Sequence, residues 1–323
     1  MRAAFLAAAL TTLVASPLAA RDIVLSPPLA CDLGTDCFIQ QYVDHDPKEG
    51  ASDYRCSTLS YDNHKGTDFA LRSLDQMRRG VDVLAAAPGT VRATRDGMPD
   101  QLLTAENSSE IDGRDCGNGL VVEHDDGWTT QYCHLKNGSV AVLQGDRVTR
   151  QTVLGQVGLS GRTQFPHVHL TLRQGDTVVD PFAPDGNISC DGSAQKTLWQ
   201  DDLPYRPGAV LAVGFSDKVP DFSAIKGGTA ARPVLSVTAP AIVVYGYAFG
   251  GKQGDQLRLT IDGPTGTFMD ETVTLDRDQA QFFRAVGKKR RTPAWPEGTY
   301  LGTVTLIRDD VTLNTENAEL SVE

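Results

Sequence analysis

The stretch Pro166-His167-Val168-His169-Leu170 decides how the rest of the chain is interpreted, because it holds two of the six histidines separated by one valine. The surrounding apolar residues are typical of a β-strand, on which side chains at i and i+2 share a face. His167 and His169 should therefore project together, about 6 to 7 Å apart at the backbone. Two such imidazoles can share a metal ion, or one can bind metal while the other transfers protons. A strand that carries two surface histidines is the simpler alternative.

A second motif, Asn63-His64-Lys65-Gly66-Thr67-Asp68, places a histidine and an aspartate four residues apart. In an extended segment, positions i and i+4 share a face, and Gly66 would allow a kink that brings the two side chains together. Two histidines and one carboxylate around a metal, with the fourth position open to water, form the pattern of a catalytic zinc site. His-x-x-x-Asp alone is a weak signal, and it gains weight from the His-x-His strand.

The third motif is Gln131-Tyr132-Cys133-His134-Leu135, at the end of the second strand of a predicted hairpin. Neighbouring residues on a strand point to opposite faces, so one of Cys133 and His134 should face inward and the other toward a cleft. Cys133 is expected to be half of a disulfide rather than a nucleophile. His124, just before the Asp125-Asp126-Gly127 turn, is expected to be structural.

From His64 to Pro181 the chain resembles the lysostaphin/LytM-type family of zinc endopeptidases, which cut peptidoglycan cross-links. The resemblance rests on four stretches in the same order: HKGTDFAL, VDVLAAAPGTVRA, GNGLVVEHDDGWTTQYCHL and GDRVTRQTVLGQVGLSGRTQFPHVHL. It implies one zinc ion bound by His64, Asp68 and His169. It also implies that His134 and His167 are catalytic histidines that do not bind the metal.

Two features depart from the family pattern. The family's His-Leu-His-Phe-Glu ending is His-Val-His-Leu-Thr in this chain, so Thr171 replaces a carboxylate. We expect this change to alter the hydrogen bonding behind a zinc ligand rather than to abolish zinc binding. The polar residues 96–115 lengthen the path between two core strands and are expected to reshape one wall of the substrate groove.

Composition indicates an exported protein. Residues 1–20 combine one early positive charge, a short apolar run and a small-residue end, which predicts a signal peptide. Its removal would take away Arg2 and no acid, so the net charge would change from −11 to −12. This charge argues against a general nucleic-acid binder, and no other apolar run is long enough to form an integral membrane segment in the mature chain. Export and the family resemblance favour the periplasm over the medium. The basic run 288–291 is expected to be a solvated loop.

Cysteine usage supports the same compartment. An even number of cysteines in an exported chain predicts disulfides, and the spacing makes Cys31–Cys37 the favoured local pair. A cysteine zinc site is the rival interpretation, but the chain has no Cys-x-x-Cys motif. The six disulfide candidates are Cys31, Cys37, Cys56, Cys116, Cys133 and Cys190.

The strand and turn patterns predict an all-β chain: an antiparallel β metallopeptidase domain followed by an immunoglobulin-like β-sandwich. His45 in the N-terminal segment is expected to be a surface residue. The expected divisions are a signal peptide (1–20), an irregular N-terminal segment (21–55), a zinc metallo-endopeptidase domain (56–185), a linker (186–205) and the sandwich (206–323).

The leading functional hypothesis is a secreted zinc endopeptidase that hydrolyses peptide bonds in peptidoglycan stem peptides or cross-links. The alternative is a non-catalytic regulator on the same fold, which binds the cell wall or activates another hydrolase. A third hypothesis keeps the chemistry but takes a Gly-rich secreted protein as substrate. The sandwich could hold the wall, restrain the groove or stabilise the fold, and the sequence does not choose among these.

Overall fold

The computed structural model of the protein describes residues 22–323, so the predicted signal peptide lies outside the described residues. The architecture is almost entirely β, and the strands of the described residues pair antiparallel except for two short stretches near residues 234 and 321. Two isolated bridges, Leu25 with Trp199 and Leu33 with Cys37, are also parallel. The predicted all-β fold class is confirmed. Among the described residues, no helix has the length and apolar character needed to cross a membrane.

An eight-stranded antiparallel sheet forms the first half of the molecule, with a two-stranded sheet beside it. The strands are β1 (Cys37–Gln41), β2 (Thr67–Leu71), β3 (Asp82–Leu84), β4 (Gly89–Arg95), β5 (Asn118–Glu123), β6 (Trp128–Leu135), β7 (Arg147–Val148), β8 (Val153–Gln156), β9 (His167–Gln174) and β10 (Thr177–Val178). The large sheet runs in the order β1-β2-β9-β6-β5-β4-β7, with β10 added to β9, and β3 pairs with β8.

The register of this sheet brings the three sequence motifs together. Strand β9 lies between β2 and β6, so that Asp68 of β2 and Cys133 of β6 both face His169 across the ladder. Side chains directly opposite each other in an antiparallel pair lie within contact distance. Residues about 35 to 100 positions apart in sequence therefore converge on the centre of one sheet.

The N-terminal segment is more ordered than the sequence predicts. It contributes β1, an edge strand paired with β2, and its Leu25 and Tyr42 are fully buried. The expectation that His45 is a surface residue is wrong. Its side chain is only 15% exposed, and its Nε2 lies 2.7 Å from an Asp180 carboxylate oxygen. This bond ties the segment to the end of the predicted catalytic domain.

Three disulfides lock the first half of the chain: Cys31–Cys37, Cys56–Cys190 and Cys116–Cys133. The predicted local pair is confirmed. Since these bonds use all six cysteines, the structure contradicts the cysteine zinc site. The bond between Cys56 and Cys190 fixes residues 186–205, which lack helices and strands but bury Leu198 and Trp199 against the first core.

The second half of the molecule is a β-sandwich of two packed sheets. Its eight strands are β11 (Ala209–Ser216), β12 (Val234–Leu235), β13 (Ala241–Gly251), β14 (Gln256–Gly263), β15 (Gly266–Thr274), β16 (Gln279–Lys289), β17 (Gly298–Arg308) and β18 (Val311–Val322). Sheet β11-β13-β16 packs on sheet β12-β18-β17-β14-β15, and alternate residues of both sheets fill the core between them. The immunoglobulin-like assignment stays a prediction.

The basic run 288–291 is a loop only in its second half, because Arg290 and Arg291 lie outside any strand, which corrects the expectation for its first two residues. Lys288 and Lys289 are the last residues of β16, where they pair with Ile242 and Ala241. The Lys288 ammonium donates to the carbonyl oxygen of Phe268 and lies over its ring. Three short helices complete the fold: α1 (Leu74–Arg79), α2 (Ser108–Ile111) and α3 (Phe222–Gly227).

A continuous apolar contact joins the two halves. Phe38 of β1 and Phe249 of β13 are both buried, with ring centroids 4.5 Å apart. Tyr245 and Tyr247 of β13 also belong to the core formed mainly by the first half. A large apolar interface of this kind opposes relative movement of the parts that it joins. The sandwich is therefore held in one position beside the first sheet.

Candidate metal centre

Three side chains place one potential metal-binding atom each in a small buried space. The carboxylate Oδ1 of Asp68 lies 2.8 Å from Nδ1 of His169 and 3.2 Å from Nε2 of His64. The two imidazole nitrogens are 3.1 Å apart. Two nitrogen donors and one carboxylate oxygen form a ligand set that zinc accepts. This set, His64, Asp68 and His169, matches the predicted ligands, whose role as ligands stays a prediction.

In His64 and His169, the ring nitrogen that faces away from Asp68 (the outer nitrogen) has a hydrogen-bond partner that favours metal binding. Nδ1 of His64 donates to the Tyr42 carbonyl oxygen at 2.6 Å, and Nε2 of His169 lies 3.0 Å from the Thr171 hydroxyl oxygen. A proton on each outer nitrogen leaves a lone pair on the nitrogen that faces Asp68. Hydrogen bonds of this kind orient metal-binding histidines and fix their tautomer. The residues present therefore fit a zinc ion.

The chain bends at Gly66, in agreement with the predicted kink. Its φ angle is not in the positive region, and close packing adds a second requirement for glycine. A β-carbon at this position would lie 2.6 Å from two atoms of the His169 ring and 2.7 Å from the Leu170 carbonyl oxygen. Only glycine leaves room for the imidazole and the carbonyl together.

His134 and His167 lie beside the three donors without joining them. Their ring centroids are 4.6 Å apart, and Nε2 of His167 is 3.6 Å from Oδ1 of Asp68. Nδ1 of His167 donates to the Phe165 carbonyl oxygen at 2.9 Å. Nδ1 of His134 donates to the Ser160 carbonyl oxygen at 2.8 Å. In the neutral state each ring therefore presents an unprotonated Nε2.

The backbone at His134 explains how it reaches this position. Its φ angle is +65°, a left-handed conformation that is uncommon for residues other than glycine. Its N–H donates to the Cys116 carbonyl oxygen at 2.8 Å, and its carbonyl accepts from Gly158 at 3.0 Å. The disulfide between Cys116 and Cys133 lies next to this turn and holds the chain in it. Cys133 is thus buried in a disulfide, while His134 lines the groove.

Burial and neighbouring charges shift the pKa values of four groups at the centre in different directions. Burial and the neighbouring His167 hold the pKa of His134 well below its usual range, and burial lowers the pKa of His167. Burial alone would raise the pKa of Asp68, but the charge of His64 holds it well below its ordinary value. Burial would lower the pKa of His64, but Asp68 raises it. These shifts favour two neutral histidines beside an ionised carboxylate.

His124 stands apart from the centre, in agreement with its predicted structural role. Its Nδ1 donates to the Pro88 carbonyl oxygen at 2.6 Å, and its Nε2 lies 2.8 Å from the Thr130 hydroxyl. That hydroxyl is 3.1 Å from the hydroxyl of Tyr132, which in turn accepts from Ala86 N–H. The chain of bonds joins β6 to the segments that lie next to β4 and β5.

A groove of about 690 Å³ opens beside the centre. Its catalytic side includes Tyr61, Asp68, His134 and His167. The polar excursion at 96–115 contributes Leu103, whose N–H donates to the Thr163 carbonyl oxygen at 2.7 Å. The expectation that this excursion shapes one wall of the groove agrees with that contact. Sequence reasoning did not identify Tyr61, whose ring packs on His64 at 4.3 Å, because an isolated tyrosine carries no motif.

The comparison with families gives one match in this region. Residues 62–181 match the model of Peptidase family M23. The chain is 30% identical over 118 residues to the cell division protein DipM of Caulobacter vibrioides, which covers 36% of this chain and 18% of DipM. It is 30% identical over 109 residues to the peptidoglycan DD-endopeptidase ShyA of Vibrio cholerae, which covers 34% of this chain and 20% of ShyA. The chain thus spans about a fifth of the length of these relatives.

Solved structures give matches at lower identity. A mutant catalytic domain of the prophage-encoded M23 protein EnpA from Enterococcus faecalis is 21% identical, with a TM-score of 0.33 over 50% of this chain and 95% of that chain. A zinc-containing peptidase from Vibrio cholerae is 22% identical, with a TM-score of 0.34 over 49% of this chain and 39% of that chain. The catalytic domain of lysostaphin from Staphylococcus simulans is 22% identical, with a TM-score of 0.28 over 37% and 76% of the two chains. Similarity at this level says nothing about activity.

Proposed function

We propose that the protein is an exported zinc-dependent endopeptidase that cleaves peptidoglycan stem peptides or cross-links, a proposal supported by the match of residues 62–181 to the model of Peptidase family M23. The observation that carries the proposal is the convergence of one oxygen and two nitrogen donors from Asp68, His64 and His169 within about 3 Å of one another. The two buried histidines beside them supply groups for proton transfer.

Zinc bound by these three residues would supply a Lewis acid for the scissile carbonyl and would lower the pKa of a water molecule. His64 and His169 hold their inner lone pairs toward it, since their outer nitrogens are engaged with the Tyr42 carbonyl and the Thr171 hydroxyl. Asp68 contributes the negative charge that partly balances the metal. The tightly hydrogen-bonded outer partners reduce the reorganisation needed for binding.

His167 is proposed to accept the proton of the attacking water. Its Nδ1 donates to a backbone carbonyl, so Nε2 carries the lone pair and points toward Asp68. The lowered pKa keeps the ring neutral near pH 7, which is the state that a general base requires.

His134 is proposed to stabilise the developing oxyanion or to protonate the leaving amine. With its Nδ1–H engaged by the Ser160 carbonyl, the neutral ring has an acceptor at Nε2. His134 can therefore donate from Nε2 only after that atom has gained a proton, and its source is the proton that His167 takes from the attacking water, since the two ring centroids are 4.6 Å apart. A pKa held well below the usual range makes it release that proton readily. Loss of one such donor typically costs about 100- to 1,000-fold in rate.

Export and a periplasmic location, rather than release to the medium, are part of the proposal. Three disulfides in the described residues support an oxidising compartment. The proposed partners are peptidoglycan peptides, with no nucleic acid among them, which agrees with the net charge of −11.

Incubation of the mature protein with purified sacculi, with and without a chelator, tests the function. We expect soluble cross-link fragments that disappear with the chelator and return with zinc. Mass spectrometry of the released muropeptides would identify the bond. Zinc-dependent cleavage of secreted proteins alone would contradict the proposed substrate. Intact sacculi under all conditions would instead favour the non-catalytic regulator, an alternative weakened by the presence of all five predicted site residues.

A further inference from the structure

The far wall of the groove belongs to the sandwich. The turn that leads from β15 into β16 contributes Arg277 to the lining, the start of β16 contributes Ala280 and Gln281, and helix α3 contributes Phe222 and Lys226. These residues lie across the groove from Asp68, His134 and His167. A substrate at the metal centre would therefore touch both halves of the molecule.

Hydrogen bonds hold this wall against the sheet of the metal centre. Gln40 of β1 is only 2% exposed, and its Nε2 donates to the Ala280 carbonyl oxygen at 3.3 Å. Gln281 Nε2 donates to Gln40 Oε1 at 3.0 Å, and the Tyr247 hydroxyl donates to Gln281 Oε1 at 2.8 Å. Since Gln41 pairs with Asp68 in the same sheet, the wall has a fixed position relative to the metal centre.

The charges that line the groove are not balanced by one another. Arg162 is paired with Asp112 and Asp115 on its own side. The Asp278 carboxylate accepts from Gln253 N–H at 2.8 Å. Asp68 belongs to the metal centre.

Lys226 and Arg277 have a different environment. The Lys226 ammonium lies 5.1 Å from the centroid of the Phe222 ring. Within residues 22–323, neither cation has a carboxylate within ion-pair distance. Among the described residues neither cation forms an ion pair, although Asp278 lines the same groove next to Arg277, and cations in a cleft of a protein with net charge −11 attract an anionic ligand. Arginine in particular binds carboxylates through paired hydrogen bonds.

We propose that the sandwich wall is a carboxylate-binding subsite of the catalytic groove, in which Lys226 and Arg277 bind a free carboxylate of the peptide whose scissile bond lies at the metal centre. The proposal rests on the proposed function, since it assigns the sandwich to that same substrate. It gives the second half of the chain a direct part in specificity.

The test compares dimeric muropeptides with free carboxyl groups and the same preparation after chemical amidation. The proteins are the zinc-loaded wild type, the Lys226→Met and Arg277→Gln variants and the double variant. Lys218→Met and Arg291→Gln serve as controls, because these exposed cations lie outside the groove. We expect the double variant to lose about tenfold in kcat/KM on the free form, mainly through KM, and to keep the wild-type value on the amidated form.

The outcomes separate this inference from the function. Equal loss on both substrates, or no loss on the free form, would overturn the carboxylate subsite while leaving the endopeptidase intact. Cleavage of neither form by the wild type would count against the endopeptidase. In that case the affinity of each protein for the free and the amidated muropeptides is measured by calorimetry. If neither amidation nor the double variant changes the affinity, the carboxylate subsite is overturned.

Discussion

Gly66 and the imidazole of His169 are in such close contact that a β-carbon on the glycine would lie 2.6 Å from the ring. The same β-carbon would lie 2.7 Å from the Leu170 carbonyl oxygen, which belongs to the backbone of β9 and has little freedom to move. The position of a proposed metal ligand thus depends on the absence of a side chain on the neighbouring strand.

Gly66→Ala should weaken zinc binding by at least tenfold while the protein stays folded, because His169 has to turn away from Asp68 and His64. Competition with a chromogenic chelator measures the zinc affinity, and circular dichroism checks the fold. Gly227→Ala is the matched control, since its β-carbon would meet only the Thr229 hydroxyl at an ordinary 3.5 Å. Unchanged zinc affinity in Gly66→Ala would show that the contact does not position the ligand.

His64→Ala and His134→Ala should separate metal binding from hydrolysis. We expect His64→Ala to lose both zinc and activity, because it removes a donor at the centre. His134→Ala should keep zinc and lose about 100- to 1,000-fold in hydrolysis rate, because its ring lies outside the donor set. Zinc content by elemental analysis and fragment release from sacculi give the two measurements. Full activity in either variant would refute its assigned role.

Thr171→Val should weaken zinc binding by about 10- to 100-fold, since valine keeps the shape of threonine but removes the partner of His169 Nε2. Thr171→Ser is the control that keeps the hydroxyl. Thr171→Glu restores the residue type expected from the family pattern. Equal zinc affinity of the valine and serine variants would show that the hydroxyl is not needed.

His124 should make folding stability depend on pH. Burial lowers the pKa of His124 in the folded state, whereas in the unfolded chain this pKa stays near 6.5. At a pH between the folded and the unfolded pKa, the unfolded state therefore binds more protons. The stability that this group contributes is present above about pH 6.5 and is lost as the pH falls below that value.

Urea unfolding of the wild type and of His124→Gln between pH 5 and 8 measures this effect. At constant zinc concentration, we expect the variant to lose less stability than the wild type as the pH falls. Parallel pH dependences for the two proteins would contradict a buried neutral His124.

Phe249→Ala should lower stability by about 3 to 5 kcal/mol, because it removes a fully buried ring that packs on Phe38 from the other half of the molecule. Since the contact joins both halves, calorimetry should record one unfolding transition in the wild type. Leu301→Ala, at an exposed position of β17, is the control, with little change expected. Two separate wild-type transitions would show that the halves unfold independently.

The same contact changes how a deletion of the sandwich should be interpreted. Removal of the chain from about residue 200 would expose Phe38 and would take away the wall that contains Ala280 and Gln281. A loss of activity after this deletion would therefore not separate stabilisation from substrate binding. The point variants at Lys226 and Arg277 make that distinction.

Much of the fold could be predicted because local patterns determine it. Alternating apolar residues gave the strands from Ala209 onward, and the His-x-His and His-x-x-x-Asp motifs gave side chains that the sheet places together. The bend at Gly66 agrees with the sequence, but its close contact with His169 could not be predicted because β9 lies about 100 residues away. Tyr42, Ser160 and Thr163 could not be found, since a carbonyl or a single hydroxyl leaves no sequence pattern.

The N-terminal segment was underestimated for a related reason. Its Pro-Pro pair and acidic stretch are typical of an irregular segment, yet β1 pairs with β2, and His45 contacts Asp180 across 135 positions. Long-range pairing of an edge strand depends on the partner surface, which short-range patterns do not report.

The carbonyl of Tyr42 has a consequence for maturation. It holds the ring of His64, and the Tyr42 side chain is anchored among the rings of Tyr54, Phe182 and Tyr205. Proteolytic trimming to the boundary of the recognisable peptidase domain would remove this support from the proposed metal ligand. Residues 22–55 thus support the proposed metal centre, and their removal should weaken that centre instead of activating it.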